Sequence, residues 1–264
     1  MATRIVVSGA TGRMGRTVAA VAREAGDVEL VGGIGRDGRD VDANGAYPRI
    51  ETPERAAGMI ADADVVLDFS APPFLARVLD AQAAALAGRA LVVGTTGLDD
   101  ALRARLDDVA ARTAVLVAAN FSVGVNLLLA LVEEAARRLP AEGYDVEIVE
   151  AHHRGKADAP SGTALALGGA VAAGRGADLA ALRRDGRSGR PGERPTGEIA
   201  FHAVRGGSVA GEHRVLFLGA HERLELGHAA VDRSLFAEGA VVAARWMAGR
   251  PPGRYSMREV LGLD

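Results

Sequence analysis

The sequence predicts an α/β protein in two parts: a doubly wound parallel-sheet domain, and a smaller α+β domain whose sheet is mostly antiparallel or mixed. Three observations carry this. The first half alternates short β-branched runs with Ala- and Leu-rich segments of helical spacing, as in a parallel sheet covered on both faces. A glycine-rich turn, Val6–Gly15, joins the first run to the first helix. The second half carries three strand-like runs with no long helix between them, the mark of a separate α+β unit.

Strands are expected at Arg4–Ser8, Val28–Ile34, Ala63–Ser70, Arg89–Gly97 and Ala114–Ser122, and helices at Arg13–Ala25, Pro73–Ala87 and Leu98–Arg112. A long helix, Val123–Leu139, then leads into a strand at Tyr144–His153, and a further helix begins near Ser161. Five arginines between Arg183 and Arg194, interleaved with Gly and Pro, read as a solvated mobile loop, with a grip on an anionic ligand as the lesser alternative. Strands follow at Glu198–Arg205, Ser208–Leu218 and Arg223–Val231, then a helix over Ser234–Ala248 and a short one near Met257.

Composition narrows the function classes. At 264 residues, 48% apolar and 25% charged, the chain has the make-up of a globular protein of one large or two small domains. Its formal net charge of −3 argues against general nucleic-acid binding, which needs a basic surface. The absence of cysteine excludes disulfides, thiolate catalysis and Cys-ligated zinc. The start of the chain lacks a signal-peptide layout, and the most apolar run, Leu127–Val132, is too short to span a bilayer. A cytoplasmic protein without a membrane partner is expected.

Glycines 9, 12 and 15 follow the first strand and open the first helix. At that position they permit a tight turn, close backbone approach and anion binding at a helix N-terminus. The spacing is GxxGxxG, so its place in the sheet carries more weight than the pattern. Two loops of small and hydroxyl residues, Gly94–Gly97 and Ala118–Ser122, end later strands. Each alone would be turn chemistry; together they leave room for a nicotinamide.

Lys156 is the only lysine; every other positive charge is arginine. A lysine ammonium can release a proton, whereas a guanidinium cannot at working pH. It follows two adjacent histidines and precedes Ser161-Gly162-Thr163, where a helix start would cradle a carboxylate. His152 and His153 alternate across a strand, so they cannot both meet one atom unless the strand has ended, and no metal site is expected there. A histidine and a lysine beside an anion cradle read as acid–base machinery; a solvated lysine on an ordinary loop is the plainer alternative. His202, His213, His221 and His228 are read as hydrogen-bonded core or rim residues.

With "GATGRMG", "DFS", "GTTG", "AANFSVGVN", "EAHHRGKADAPSGTA" and "GEH" assembled, the sequence closely resembles the dihydrodipicolinate reductase family over essentially its whole length. The resemblance implies NADH- or NADPH-dependent reduction, with loss of water, of the cyclic dicarboxylate 4-hydroxy-2,3,4,5-tetrahydrodipicolinate on the diaminopimelate route to lysine. By the family pattern His152 is the acid–base residue and Lys156 the proton donor, while His153, Lys156, Gly162 and Thr163 contact substrate. Gly9, Ala10, Thr11, Gly12, Arg13 and Met14, then Gly94, Thr95 and Thr96, then Ala118, Ala119, Asn120 and Phe121, would contact the cofactor. The resemblance also implies a Rossmann-like dinucleotide-binding domain of residues 1–122 and 232–264. Residues 123–231 would then bind substrate and build a homotetramer.

Two other readings stay open at this point: a related two-domain dehydrogenase of a linear amino acid or a sugar, and a non-catalytic nicotinamide-binding redox sensor. For the cofactor, the end of the second strand should meet the adenine ribose. Many family members carry an acidic residue followed by arginine there; this chain has Gly35-Arg36. The missing carboxylate and the remaining guanidinium favour NADPH, with NADH usable. Asp37, one step further, is expected to point elsewhere.

Overall fold

The computed structural model describes residues 1–37 and 45–263. The chain opens with β1 (Thr3–Ser8), α1 (Arg13–Glu24) and β2 (Val28–Ile34). It continues through β3 (Ile50–Glu51), a 3₁₀ turn (Pro53–Arg55), α2 (Ala57–Ala61), β4 (Val65–Asp68) and α3 (Pro72–Gln82). Then come β5 (Ala90–Val93), α4 (Asp100–Ala110) and β6 (Ala114–Val117). Next are α5 (Val123–Arg138), β7 (Asp145–His152), α6 (Gly162–Gly174), α7 (Leu179–Leu182) and β8 (Arg183–Asp185). The chain closes with β9 (Ile199–Arg205), β10 (Glu212–Leu218), β11 (Arg223–Ala229), α8 (Ser234–Met247), β12 (Gly253–Tyr255) and α9 (Met257–Val260). It divides into two compact units: Met1–Val123 with Ser234–Asp264, and Gly124–Arg233.

In the first unit the described strands form a seven-stranded sheet in the order β12-β6-β5-β4-β1-β2-β3, and every pairing in it is parallel. The strands are apolar on both faces because both are covered. Val7, Leu67, Val92 and Leu116 pack with α1 and α8 residues such as Val18, Ala240 and Met247. Val6, Val66, Leu91 and Val115 pack with Leu75 and Val78 of α3 and Leu106 of α4. Small residues on α8 allow it to lie close: a side-chain carbon at Gly239 would collide with the Phe121 carbonyl. The doubly wound sheet is therefore as expected, with β3 and β12 added at its edges. Strands of two or three residues carry no periodic signal.

The second unit holds a five-stranded mixed sheet in the order β11-β10-β7-β9-β8. β10 runs antiparallel to β7 and β11, while β9 is parallel to β7 and β8. Val146 and Ile148 of β7, Phe201 of β9 and Val215 and Phe217 of β10 form one apolar face. Leu128 and Val132 of α5, with Leu167 and Val171 of α6, cover it.

The arginine-rich stretch corrects one expectation in part: most of it is exposed, as expected of a solvated loop, but it is not all loop and two of its guanidiniums are held. Arg183–Asp185 forms β8, and two arginines beyond it meet acids that alternate along β7. Arg187 pairs with Glu147 at 2.9 Å and also with Glu198; Arg194 reaches Asp145 at 2.5 Å and Glu147 at 3.0 Å. Arg194 also donates to the Val146 carbonyl at 3.0 Å and to the Glu198 carbonyl at 2.5 Å. These guanidiniums are held by the protein's own carboxylates.

Candidate active site

The glycine turn lies at the carboxyl end of β1. Gly9 has φ +79°, a left-handed conformation that glycine adopts without steric cost. A side chain there would also begin 2.5 Å from the Phe69 carbonyl oxygen. Gly9 and Ala10 donate their N–H groups to the Ile34 carbonyl at 3.0 and 3.2 Å, and Gly12 donates to the Gly9 carbonyl at 2.9 Å. The Gly12 N-cap has no side-chain cap. The amides of Arg13 and Met14 have no backbone acceptor among the described residues. Such a helix opening suits an anion.

A cavity of about 420 Å³ opens over this turn, lined by Gly9, Thr11, Gly12, Gly35, Arg36, Asp37, Phe69, Ser70, Ala71 and Phe74. Arg36 lines it just beyond the end of β2. Asp37, expected to point elsewhere, is also among the residues that line this cavity. Gly94–Thr96 and Ala118–Phe121 follow β5 and β6 along the same sheet edge. Thr95 is buried, Thr96 and Ala119 are exposed, and Phe121 packs edge-on against Phe69 with centroids 5.4 Å apart. The Asn120 side chain closes its own turn by accepting the Ser122 N–H at 2.8 Å.

The second cluster grows from β7. Glu150 and His152 share one face of that strand, and the strand ends between His152 and His153, so the two histidines are held differently. The Glu150 side chain is fully buried. Its carboxylate meets His152 Nδ1 at 2.6 Å and accepts the Ser161 N–H at 3.0 Å. From β9, Arg205 donates to both oxygens at 2.7 and 2.6 Å, a bidentate charged pair. Burial works to raise the Glu150 pKa, but hydrogen bonds from Arg205, His152 and Ser161 hold it below the ordinary carboxylate value. An ionised carboxylate only accepts, so the His152 proton belongs on Nδ1 and Nε2 is left with its lone pair. A side chain at Gly211 would begin 3.1 Å from that Nε2; the glycine keeps this nitrogen uncovered.

Lys156 places its ammonium 2.9 Å from Asp158. Ser161 caps α6 by accepting the Ala164 N–H at 3.2 Å and contacts His213 Nε2 at 3.0 Å. Gly162 and Thr163 form the first turn of that helix. A side chain at Gly162 would meet nothing within 4 Å, so packing does not demand the glycine and the turn is open to close approach.

Sequence reasoning missed Glu150 and Arg205, named Ser161 only as part of the helix start, and set aside His213. That histidine is indeed buried and hydrogen-bonded, but its ring lies 5.1 Å from His152. Burial above all pushes its pKa down to about 4, leaving it neutral at neutral pH. The Glu-x-His spacing on one strand face was the available signal for Glu150. Arg205 gave none, being 55 residues away. Among the described residues no group of three or more His, Asp or Glu side chains is arranged to hold a metal ion. No described helix is long and apolar enough to cross a membrane.

A phosphate-ready glycine turn on a doubly wound sheet, in a chain whose other unit carries a carboxylate–imidazole pair and a lysine, defines an NAD(P)H-dependent oxidoreductase. Comparison with known proteins narrows this class. Residues 3–121 match the family model for the dihydrodipicolinate reductase N-terminus, and residues 124–261 match that for its C-terminus. The chain belongs to the dihydrodipicolinate reductase family. It is 50% identical over 260 residues to the 4-hydroxy-tetrahydrodipicolinate reductase of Acidiphilium cryptum, with 98% of each chain covered. With the enzyme of that name from Alkalilimnicola ehrlichii it shares 49% identity over 271 residues, covering all of both chains. A solved dipicolinate-bound dihydrodipicolinate reductase from Paenisporosarcina sp. TG-14 superposes with a TM-score of 0.74 at 25% identity, over 98% of this chain and 99% of that one.

Proposed function

We propose that this chain reduces 4-hydroxy-2,3,4,5-tetrahydrodipicolinate to 2,3,4,5-tetrahydrodipicolinate with loss of water, on the diaminopimelate route to lysine. The observation that carries the assignment of roles is the buried Glu150, which orients His152 and anchors the first turn of α6 at once. NADPH or NADH supplies the hydride when bound. Gly9–Met14 hold its pyrophosphate at the start of α1, and Gly94–Thr96 with Ala118–Phe121 line the nicotinamide end. His153, Gly162 and Thr163 bind the substrate's carboxylates, and Lys156 adds charge to the same cradle. Lys156 also gives a proton to the ring as negative charge develops there, and His152, with Nε2 free, serves as the acid–base partner.

Arg36 favours NADPH by pairing with the 2′-phosphate. Asp37 on the same cavity wall offers an acceptor to a 2′-hydroxyl, so NADH is used as well. The second unit binds substrate and assembles a homotetramer; Val204, 53% exposed on the sheet face away from Phe201, offers apolar surface for that contact. The enzyme works in the cytoplasm. The test is cofactor oxidation with freshly generated hydroxytetrahydrodipicolinate, beside linear amino acids as alternative substrates. Turnover confined to the amino acids would reject the reading. Gel filtration at the monomer mass would reject the tetramer.

A further inference from the structure

Residues 153–160 join the end of β7 to the N-cap of α6 and carry Lys156 midway. Before the lysine the backbone is pinned: His153 and Arg154 donate their N–H groups to the Val209 and Gly207 carbonyls at 2.8 and 3.3 Å. Lys156 closes a turn by donating its own N–H to the His153 carbonyl at 3.1 Å. Beyond it, no backbone–backbone hydrogen bond holds residues 157–160 among the described residues. The Asp158 carbonyl is held instead by Arg205, whose Nη2 donates to it at 2.7 Å. The Asp158 carboxylate in turn accepts from the Lys156 ammonium at 2.9 Å, which leaves two ammonium protons for a ligand.

Arg205 is therefore shared between two anchors. Nη1 and Nη2 each donate to one oxygen of Glu150, the carboxylate that meets His152. Each nitrogen gives its second proton to a carbonyl, Val204 for Nη1 and Asp158 for Nη2. Nε is buried without a partner among the described residues. All five donors of the guanidinium are turned inward, so none is offered to a substrate anion. We propose that Arg205 is a positioning residue that sets Lys156 relative to His152: one planar fork fixes the carboxylate behind the histidine and the backbone beside the lysine. This rests on the reading of Lys156 as the proton donor.

Arg205→Lys separates this role from charge compensation. A lysine side chain ends one bond short of the Nη atoms and carries its charge on a single nitrogen. The Glu150 carboxylate outcompetes a neutral carbonyl for that nitrogen, so Glu150 stays ionised and the Asp158 carbonyl is released. Displacing a reacting group by about 1 Å can lower a rate 10²-fold, and kcat is expected to fall by about 10–10²-fold. The His152 Nδ1–H tautomer, read by ¹⁵N NMR, and the Kd for oxidised cofactor should both be unchanged. In Lys156→Ala, which has no ammonium left to misplace, adding Arg205→Lys should lower the residual kcat by less than about threefold. A folded Arg205→Lys protein with wild-type kcat, or an equal loss with and without Lys156, overturns the proposal. So does a changed His152 tautomer, because the loss would then run through Glu150. If Arg205→Lys does not fold, Asp158→Asn takes its place, at a side chain 60% exposed. It must lower kcat beside Lys156 and not in Lys156→Ala; an unchanged kcat, or an equal loss in both, overturns the proposal. A Lys156→Ala protein with wild-type turnover removes the proton donor itself, and the proposal falls with that reading.

Discussion

Glu150→Gln tests the centre of the candidate site. The substitution keeps the shape of the side chain but leaves one acceptor oxygen and one NH₂ where two charged oxygens stood. The native carboxylate accepts two bonds from Arg205, one from Ser161 and the contact to His152. Either position sets the NH₂ against one Arg205 N–H. The Oε1 position also opposes the fixed Ser161 N–H, whereas the Oε2 position meets His152, whose tautomer can change, so the NH₂ takes the place facing His152. Nδ1 then has to accept, and the imidazole proton moves to Nε2, the nitrogen that Gly211 leaves uncovered. The acid–base nitrogen becomes a donor in its resting state. A wrong tautomer and a lost acid–base group should lower kcat by about 10²–10⁴-fold. Breaking a buried ion pair from one side costs about 3–5 kcal/mol of stability, and because the amide still fills the space the lower figure is expected. The assay is cofactor oxidation at saturating substrate, paired with a thermal melt and ¹⁵N NMR of the imidazole nitrogens. A Gln variant that keeps the Nδ1–H tautomer and a kcat within about threefold of wild type would refute the reasoning.

Lys156→Arg should keep the fold and part of the substrate's charge recognition yet lose about 10²–10⁴-fold in turnover; near wild-type turnover would return the lone lysine to a chance of composition. His152→Ala is expected to act mainly on kcat and Thr163→Ala mainly on substrate KM, and steady-state kinetics showing the opposite split would reassign both. Arg36→Ala should weaken kcat/KM for NADPH by about tenfold or more while sparing NADH, an expectation that an unchanged NADPH value would sink. Glu147 gives the acid limit of stability. Burial raises its pKa, but Arg187, His202 and Arg194 bring it from 4.5 down to about 2. Its folded pKa is depressed, so its contribution of about 3 kcal/mol is present above the unfolded value and lost as pH falls from about 5 towards 2. Melting curves over that range should fall more steeply for wild type than for Glu147→Gln, and parallel curves would contradict this.

The alternation of apolar runs with helical segments determined the doubly wound sheet, because strands covered on both faces must be apolar throughout. Gly9 was legible because a tight turn after a first strand favours a residue that tolerates a left-handed backbone. Lys156 was legible through composition: a chain that writes every other positive charge as arginine departs from that habit once. Each of these signals is local. It lies in a residue's identity and its near neighbours.

Tertiary structure decided the rest, since strand register joins residues that no local pattern links. Glu150 meets Arg205 across 55 positions because β7 and β9 run parallel, with His152 opposite Arg205. His213 reaches Glu150's level because β10 returns antiparallel, which turns a histidine like any other into one that meets His152 edge-on. Arg187 and Arg194 read as solvated because composition says nothing of what they face, and what they face is Asp145, Glu147 and Glu198. Asp68 and Thr95 stand 27 residues apart, and only parallel neighbours can bring both strand ends to one carboxylate. Periodicity tells a residue which face it occupies; pairing between strands alone tells it whom it meets.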